Sequence, residues 1–233
     1  MGGPTAMRYL ILADVHGNID ALTAIPESWD QVIFLGDAVD YGPAPGECIA
    51  WLRDRAHIAL KGNHDAAVAE GFRCGGYRGI SLALRSWTRE TLNEADNNYL
   101  RRLPLTESFN IGGARFHLVH AAPSEPLAKY LLPSTPDEEW RAELAGLDAD
   151  FVLLGHSHLP LLRVFDYTAV VNPGSVGQPR DGDPRAGYAA WDDGRVTLHR
   201  IEYDVEAAAK RLEALPLDAE VTEAMAAILR AGG

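Results

Sequence analysis

The chain has 233 residues, of which 47% are hydrophobic and 23% are charged, and this balance excludes wholesale disorder. Its formal net charge of −12 disfavours a nucleic-acid polymer as partner, because proteins that bind phosphate backbones present a basic surface. No apolar run approaches the ~20 residues that cross a bilayer, so no membrane partner is expected. The chain has only two cysteines, and residues 1–17 do not resemble a signal peptide. Both observations favour a reduced, cytoplasmic protein.

The first third of the chain alternates predicted strands with predicted helices, which is typical of an α/β protein. Apolar runs that end in Asp or run into a polar turn indicate the strands, and apolar residues at helical spacing indicate the helices. Asn18 is the expected N-cap of the first helix. The predicted strands are 8–14, 31–37 and 57–65, and the predicted helices are 18–29 and 45–55.

The middle of the chain changes character twice. Residues 66–105 are predicted to be a mostly helical, cap-like insertion, broken by the glycine-rich segment 71–79. A hairpin is expected around Gly112-Gly113, because two β-rich runs flank this turn signal. The next helix should have Thr135 as its N-cap and Pro136 at its first position.

The last third is predicted to return to strands and to end in helices. Pro216 separates two alanine-rich amphipathic segments at the end of the chain. The economical interpretation is a single domain over 7–233, preceded by a flexible lead of residues 1–6. The predicted strands are 150–158, 161–175, 187–194 and 195–204, and the predicted helices are 204–214 and 217–230.

Polar side chains of the kinds that bind metals follow five of these strands directly. Alone, each has a plain structural explanation, because an Asp after a strand is often a helix cap and a His is often a satisfied core residue. His57, His117 and His199 are explained in that way. Ligands of α/β sheets bind outside the carboxyl ends of the strands, so the five loops would form one dense cluster of ligands if they converge. The strand-end residues are Asp14, His16, Asp37, Asp40, Asn63, His64, Asp65, His120, His156 and His158.

The number and type of these side chains favour two metal ions. Two carboxylates, four imidazoles and one amide oxygen are too many for a single tetrahedral site, which takes three or four ligands. They suit two adjacent cations that share one bridging carboxylate. Nitrogen and oxygen ligands without Cys suit Mn, Fe, Zn, Co or Ni. Metal pairs about 3.5–4 Å apart serve phosphatases and nucleases.

In this order the residues resemble the calcineurin-like metallophosphoesterase superfamily, and most of all its small prokaryotic phosphodiesterase-like and diadenosine-tetraphosphatase-like members. The match spans roughly 9–180, and 172–182 resembles the loop that closes the site. The resemblance implies a four-layer α/β/β/α sandwich of two mixed β-sheets with helices on both outer faces. The matching blocks are Asp14-Val-His16, Gly36-Asp37-Ala-Val-Asp40, Gly62-Asn63-His64-Asp65, His120 and Gly155-His156-Ser-His158.

The resemblance also implies a division of the ligands between two divalent transition-metal ions, with manganese expected ahead of Fe, Zn, Co or Ni. Asp37 is expected to bridge the two ions. The implied ligands of the first ion are Asp14, His16 and His158, and those of the second are Asn63, His120 and His156.

Other residues of the blocks are expected to bind the substrate or to support the residues that do. Asn63 is expected to contact the substrate as well as a metal ion. The resemblance implies that His64 contacts the phosphoryl oxygen or protonates the leaving oxygen, and that Asp65 holds its ring. Asp40 is expected to buttress a metal ligand. Arg180 is a candidate phosphate clamp, because a guanidinium makes bidentate contacts with phosphoryl oxygens.

The implied reaction is hydrolysis of a small phosphodiester or phosphomonoester, with a nucleotide as one candidate, by in-line attack of a metal-bridging hydroxide. Dinucleoside polyphosphate hydrolysis and a non-catalytic, metal-binding scaffold are the alternatives, and either a monomer or a homo-oligomer is compatible. Tyr41 stands where the protein-phosphatase branch carries Arg, which argues against a phosphoprotein phosphatase. Substrate contacts are expected from segments 66–105 and 123–140. Candidates there are Arg73, Tyr77, Arg78 and Tyr130.

Overall fold

The computed structural model describes residues 7–26, 28–73 and 79–233. The expected lead, residues 1–6, and the candidate contacts Tyr77 and Arg78 lie outside the described residues. The strands are β1 Arg8–Leu12, β2 Gln31–Phe34, β3 Ile58–Ala59, β4 Thr106–Ile111, β5 Ala114–Val119, β6 Phe151–Leu153, β7 Leu161–Phe165, β8 Thr168–Asn172, β9 Ala186–Asp192 and β10 Arg195–Ile201. The helices are α1 Ile19–Ala24, α2 Pro45–Arg55, α3 Asn63–Glu70, α4 Ile80–Thr91, α5 Glu94–Arg102, α6 Asp137–Leu144, α7 Val205–Glu213 and α8 Ala219–Ala231.

These strands form two mixed, five-stranded sheets. The first has the order β10-β9-β1-β2-β3, in which β1, β2 and β3 are parallel and β9 is antiparallel to β1 and β10. The second has the order β4-β5-β6-β8-β7, in which β5, β6 and β8 are parallel and the outer strands are antiparallel. Parallel strands end at the same edge of a sheet, so each sheet presents one edge of carboxyl ends.

Alternate residues of the strands pack between the two sheets. Ile11 and Ile33 of the first sheet share one buried cluster with Phe116, Leu153 and Val171 of the second. Successive side chains of a strand point to opposite faces, so the residues between them face outward. The inner faces therefore hold the two sheets together and fix the position of their edges.

Helices cover both outer faces and complete the four-layer α/β/β/α sandwich. On the first sheet, Leu22 of α1 and Leu52 of α2 pack with Leu10 and Phe34 of the strands. On the second sheet, Trp140 of α6 lies in a separate buried cluster with the outward residues of the strands. The expected fold class is confirmed.

Besides shorter elements such as α1, which ends at Ala24 and not at residue 29, the local structure differs from the sequence prediction in three places. Residues 161–175 form two strands, β7 and β8, because Asp166 adopts a left-handed turn conformation between them. Pro136 is the N-cap of α6, and the Thr135 hydroxyl instead accepts a hydrogen bond from the Leu132 backbone N–H. The polar stretch after β3 is not a turn, since α3 already begins at Asn63.

The described helices within the expected insertion are α4, α5 and most of α3. In this region α3 packs against α5, and α4 packs against α8. This placement brings one face of α4 toward the carboxyl ends of the first sheet. No helix in the described part of the chain is long and apolar enough to cross a membrane.

Candidate active site

Side chains that follow the parallel strands of both sheets converge in one buried cluster. The loops after β1, β2 and β3 supply four of them, and the loops after β5 and β6 supply three. None of the seven is more than 5% exposed. All seven predicted metal ligands are therefore brought together: Asp14, His16, Asp37, Asn63, His120, His156 and His158.

One half of the cluster consists of Asp14, His16 and His158, whose ligand atoms lie within 4.8 Å of one another. His158 Nε2 is 3.5 Å from Asp14 Oδ1 and 3.1 Å from His16 Nε2. This half contains the three residues expected to hold the first ion.

The other half is organised around Asn63. Its Oδ1 lies 3.0 Å from His120 Nε2 and 2.9 Å from His156 Nδ1. Asp37 Oδ2 lies between the halves, 3.3 Å from His120 Nε2 and 3.7 Å from His16 Nε2. Asp37 Oδ2 is therefore within 4 Å of an imidazole nitrogen from each half of the cluster.

Backbone carbonyls fix the orientation of three imidazoles. His16 Nδ1 lies 3.1 Å from the Val39 carbonyl oxygen and His120 Nδ1 lies 2.9 Å from that of Leu35. His158 Nδ1 contacts the Gln178 carbonyl oxygen in the same way. Because a carbonyl oxygen only accepts, each Nδ1 carries a proton and each Nε2 faces the cluster, the orientation that metal-binding histidines require.

The cluster fits a cation better than it fits a network of hydrogen bonds. The Nε2 atoms of His16 and His158 present lone pairs to each other across 3.1 Å. The buried Asp37 Oδ2 makes no hydrogen bond within the described residues. Buried acceptors without a donor are costly, and a positive ion among them would satisfy all three.

Burial keeps most of these histidines neutral. It lowers the pKa of His16 and of His156 to about 3 and holds the pKa of His158 well below its usual value. A neutral imidazole is the form that binds a metal.

Two groups of the cluster titrate differently. Burial raises the pKa of Asp14 to about 8. Burial alone would lower the pKa of His120, but the Asp37 carboxylate outweighs it and raises that pKa to about 9. Burial opposes ionisation of Asp37 as well, yet His120 and His64 hold its pKa well below the ordinary value. The metal-free site therefore carries ionisable protons on Asp14 and His120 at neutral pH.

The loops of the site store backbone strain. Nine non-glycine residues in the described chain have a left-handed φ, and seven of them lie here. Each such residue costs on the order of 1 kcal/mol, so the sum approaches the net stability of a domain. Backbone hydrogen bonds between neighbouring loops, such as His16 N–H to the Asp37 carbonyl oxygen, hold the conformation. The strained residues are Asp14, His16, Asp37, Asp40, Tyr41, His156 and His158.

His64 lies beside the cluster with its ring held by Asp40. His64 Nδ1 donates to Asp40 Oδ2 at 2.8 Å, and His64 Nε2 lies 4.0 Å from Asp37 Oδ2. Asp40 Oδ2 also accepts from Arg85 Nε at 3.1 Å and from Arg85 Nη2 at 2.9 Å. All three residues are buried. Because Asp40 holds Nδ1, the other ring nitrogen, Nε2, faces the cluster. Arg85 comes from α4 and is a residue that the sequence motifs do not identify.

The expected role of Asp65 is wrong. Its carboxylate accepts from the backbone N–H groups of Asp37, Ala38 and Gly62 at 2.8, 2.9 and 2.9 Å. Asp65 stands in the first turn of α3, where a carboxylate turns back to cap the helix and so points away from the neighbouring ring. Asp65 thus ties the β2 and β3 loops together, and Asp40 buttresses His64 instead of a metal ligand.

Arg180 and Tyr41 lie at the rim of the cluster. Arg180 Nη2 donates to Gln178 Oε1 at 3.1 Å, and its charge, after burial, helps to lower the pKa of His158. The Tyr41 ring lies 4.9 Å from that of His16 and 4.7 Å from that of His64. Tyr41 therefore packs against two histidines of the site at the position where the protein-phosphatase branch carries Arg.

The calcineurin-like phosphoesterase superfamily domain matches residues 7–193, which include the whole cluster. The chain belongs to this superfamily. It is accordingly a hydrolase of phosphoric esters in a superfamily that binds divalent metals. The small prokaryotic branch expected from the sequence is likewise supported.

Individual relatives match from 80% to 98% of this chain. A metallophosphoesterase structure from Sphaerobacter thermophilus is 32% identical, with a TM-score of 0.84 over 98% of this chain and 100% of that one. An uncharacterised protein of Methanocaldococcus jannaschii is 29% identical over 87% of this chain and 90% of its own length. The phosphodiesterase YfcE of Escherichia coli is 24% identical over 80% of this chain and 88% of its own length.

Proposed function

We propose that this phosphoesterase hydrolyses a small phosphodiester or phosphomonoester and that it uses two divalent transition-metal ions, manganese first among them. The observation that carries the proposal is the pair of buried ligand groups on either side of Asp37 Oδ2. One of the relatives described above is a phosphodiesterase, which supports a phosphodiester among the substrates.

The donor set fits two ions because each half offers a carboxylate or amide oxygen together with two imidazole nitrogens. Asp14, His16 and His158 would hold one ion, Asn63, His120 and His156 the other, and Asp37 would serve both. Bound ions of this kind lower the pKa of a water molecule toward neutrality and neutralise charge on phosphoryl oxygens.

His64 is the residue of this chain that would protonate the leaving oxygen. Asp40 accepts a hydrogen bond from Nδ1–H, so the ring presents Nε2 to the cluster. In its imidazolium form the ring can donate the Nε2 proton to the leaving oxygen and return to the neutral Nδ1–H form. Asp40 and Arg85 keep the ring in place during this transfer. Arg180 is suited to contact phosphoryl oxygens from the rim.

Reconstitution with single metals tests the proposal. The protein is stripped of metal, loaded in turn with Mn, Fe, Zn, Co, Ni or Mg, and assayed on a monoester, a diester, cyclic nucleotides and dinucleoside polyphosphates. We expect turnover of a monoester or diester, highest with manganese. No turnover with any metal and substrate would favour a non-catalytic scaffold. Turnover of dinucleoside polyphosphates alone would show that the protein is a dinucleoside polyphosphate hydrolase.

A further inference from the structure

Tyr130 lies directly over one of the metal-binding histidines. Its ring stacks on that of His156, with the centroids 3.9 Å apart and the planes 29° from parallel. The residue is nevertheless 51% exposed. One face of the phenol ring is thus covered by imidazole, while much of the rest of the residue faces solvent at the mouth of the site.

The position of Tyr130 is fixed by its neighbours in the chain. Lys129 Nζ donates to the buried Glu143 of α6 at 2.7 Å. Glu143 also accepts from the Ser124 backbone N–H at 3.0 Å and from the Ser124 hydroxyl at 2.7 Å, which secures the start of the same loop. Leu131, on the other side, is buried in the core beneath the second sheet. An exposed aromatic ring held in this way is prearranged for contact.

Tyr41, the other aromatic residue of the rim, has a different environment. Its side chain is half-buried and packs on a hydrophobic cluster that includes residues of α8. Burial raises its pKa to about 12, and its hydroxyl makes a hydrogen bond with Ser81 of α4. Tyr41 therefore packs into the side of the site, whereas the Tyr130 ring remains exposed to solvent.

We propose that Tyr130 is a specificity-determining residue that stacks on a planar aromatic group of the substrate, carried close to the phosphorus as a nucleoside or an aryl ester. This inference rests on the proposed function, because a phosphoryl group held beside His156 places its substituent against Tyr130. Every base offers a π face, so stacking on tyrosine favours aromatic substituents without selecting one sequence or ring.

Equilibrium binding tests the proposal without relying on catalysis. The protein reconstituted with Mn²⁺ is titrated calorimetrically with the phosphonate analogues of AMP and ribose 5-phosphate, and with those of phenyl phosphate and methyl phosphate. In these analogues a methylene group replaces the ester oxygen and prevents hydrolysis. We expect the aromatic member of at least one pair to bind about 5-fold tighter or more, as one stacked ring provides. A preference within the first pair identifies a nucleoside, and a preference within the second identifies an aryl ester.

Three variants assign the preference to the ring. Tyr130→Phe should keep it, Tyr130→Leu should abolish it without weakening the non-aromatic ligand, and Tyr167→Leu, at a distant exposed tyrosine, should leave it intact. An unchanged preference in Tyr130→Leu, no preference in the wild type, or no binding of any of the four ligands overturns the proposal. So does equal weakening of both members of a pair with loss of bound metal, which would show that Tyr130 only supports His156.

These outcomes are separable from failure of the proposed function. A protein that hydrolyses no ester, yet binds the AMP analogue with a preference that depends on Tyr130, retains the aromatic subsite and loses the catalytic assignment. A protein that hydrolyses esters equally well with and without the Tyr130 ring, and shows no aromatic preference, retains the catalytic assignment and loses the subsite.

Discussion

Replacing Arg85 with Met removes the charge partner of a buried carboxylate while keeping a side chain of similar length. Asp40 is fully buried and accepts two hydrogen bonds from the Arg85 guanidinium at 3.1 and 2.9 Å. Breaking a buried ion pair by removing one partner costs about 3–5 kcal/mol, because the other charge stays buried. We expect Arg85→Met to lower the free energy of unfolding by that amount, measured by urea denaturation of the metal-free protein.

A double-mutant cycle isolates the Asp40–Arg85 pair from the other contacts of α4. Asp40→Asn removes the same charge pair, so the double variant should be less destabilised than the sum of the single variants, by at least about 1.5 kcal/mol. Arg85→Lys, which keeps the charge and loses the planar fork, should fall between the wild type and Arg85→Met. A loss below about 1 kcal/mol in Arg85→Met, with additive effects in the cycle, would match an exposed salt bridge and refute the reasoning.

Three further predictions concern the site. His64→Ala should slow hydrolysis of esters with poor leaving groups by about 10²–10⁴-fold and that of nitrophenyl esters much less, and equal losses in steady-state assays would exclude proton donation. Gly62→Ala should prevent folding or metal binding, because its Cβ would lie 2.0 Å from Asp37 Oδ1; native thermal stability and metal content would contradict this. Metal binding near pH 7 should release protons from Asp14 and His120, with pKa values raised to about 8 and 9, and release should decline as pH rises through those values. Calorimetry in two buffers of different ionisation enthalpy measures this release, and a pH-independent value near zero would contradict it.

The sequence identifies the carboxyl ends of the strands and the side chains that gather there, because both depend on local order. An apolar run followed by Asp or His marks the carboxyl end of a buried strand, and the parallel topology brings such ends together. Asp14 and Asp37 follow this rule in adjacent strands of the first sheet. His156 and His158 follow it in the second sheet. Convergence across the two sheets comes from the resemblance and not from any local pattern.

The residues that hold the His64 ring could not be predicted from the local sequence pattern. Asp65 is adjacent in sequence and was the expected partner, but the N-terminal turn of α3 directs its carboxylate to backbone N–H groups. Asp40 reaches the ring because its left-handed backbone turns the side chain inward. Arg85 lies 45 residues from Asp40 on an amphipathic helix without a motif, so only tertiary packing identifies it.

Tyr130 illustrates the same limit. The sequence makes Tyr130 one of several candidate substrate contacts in segments 66–105 and 123–140, but no motif distinguishes it from the others. The stacking on His156 depends on the Glu143 anchor in α6, which no spacing rule connects to the loop.

The central claim is that two ions bind on either side of Asp37, and metal content measures it most directly. Protein loaded with manganese and freed of excess metal should contain two ions per chain by mass spectrometry of the digested sample. Asp37→Ala should contain fewer than two, and His117→Gln, at a histidine outside the cluster, should contain two. One ion or none in the wild type, or two ions retained in Asp37→Ala, would contradict the account.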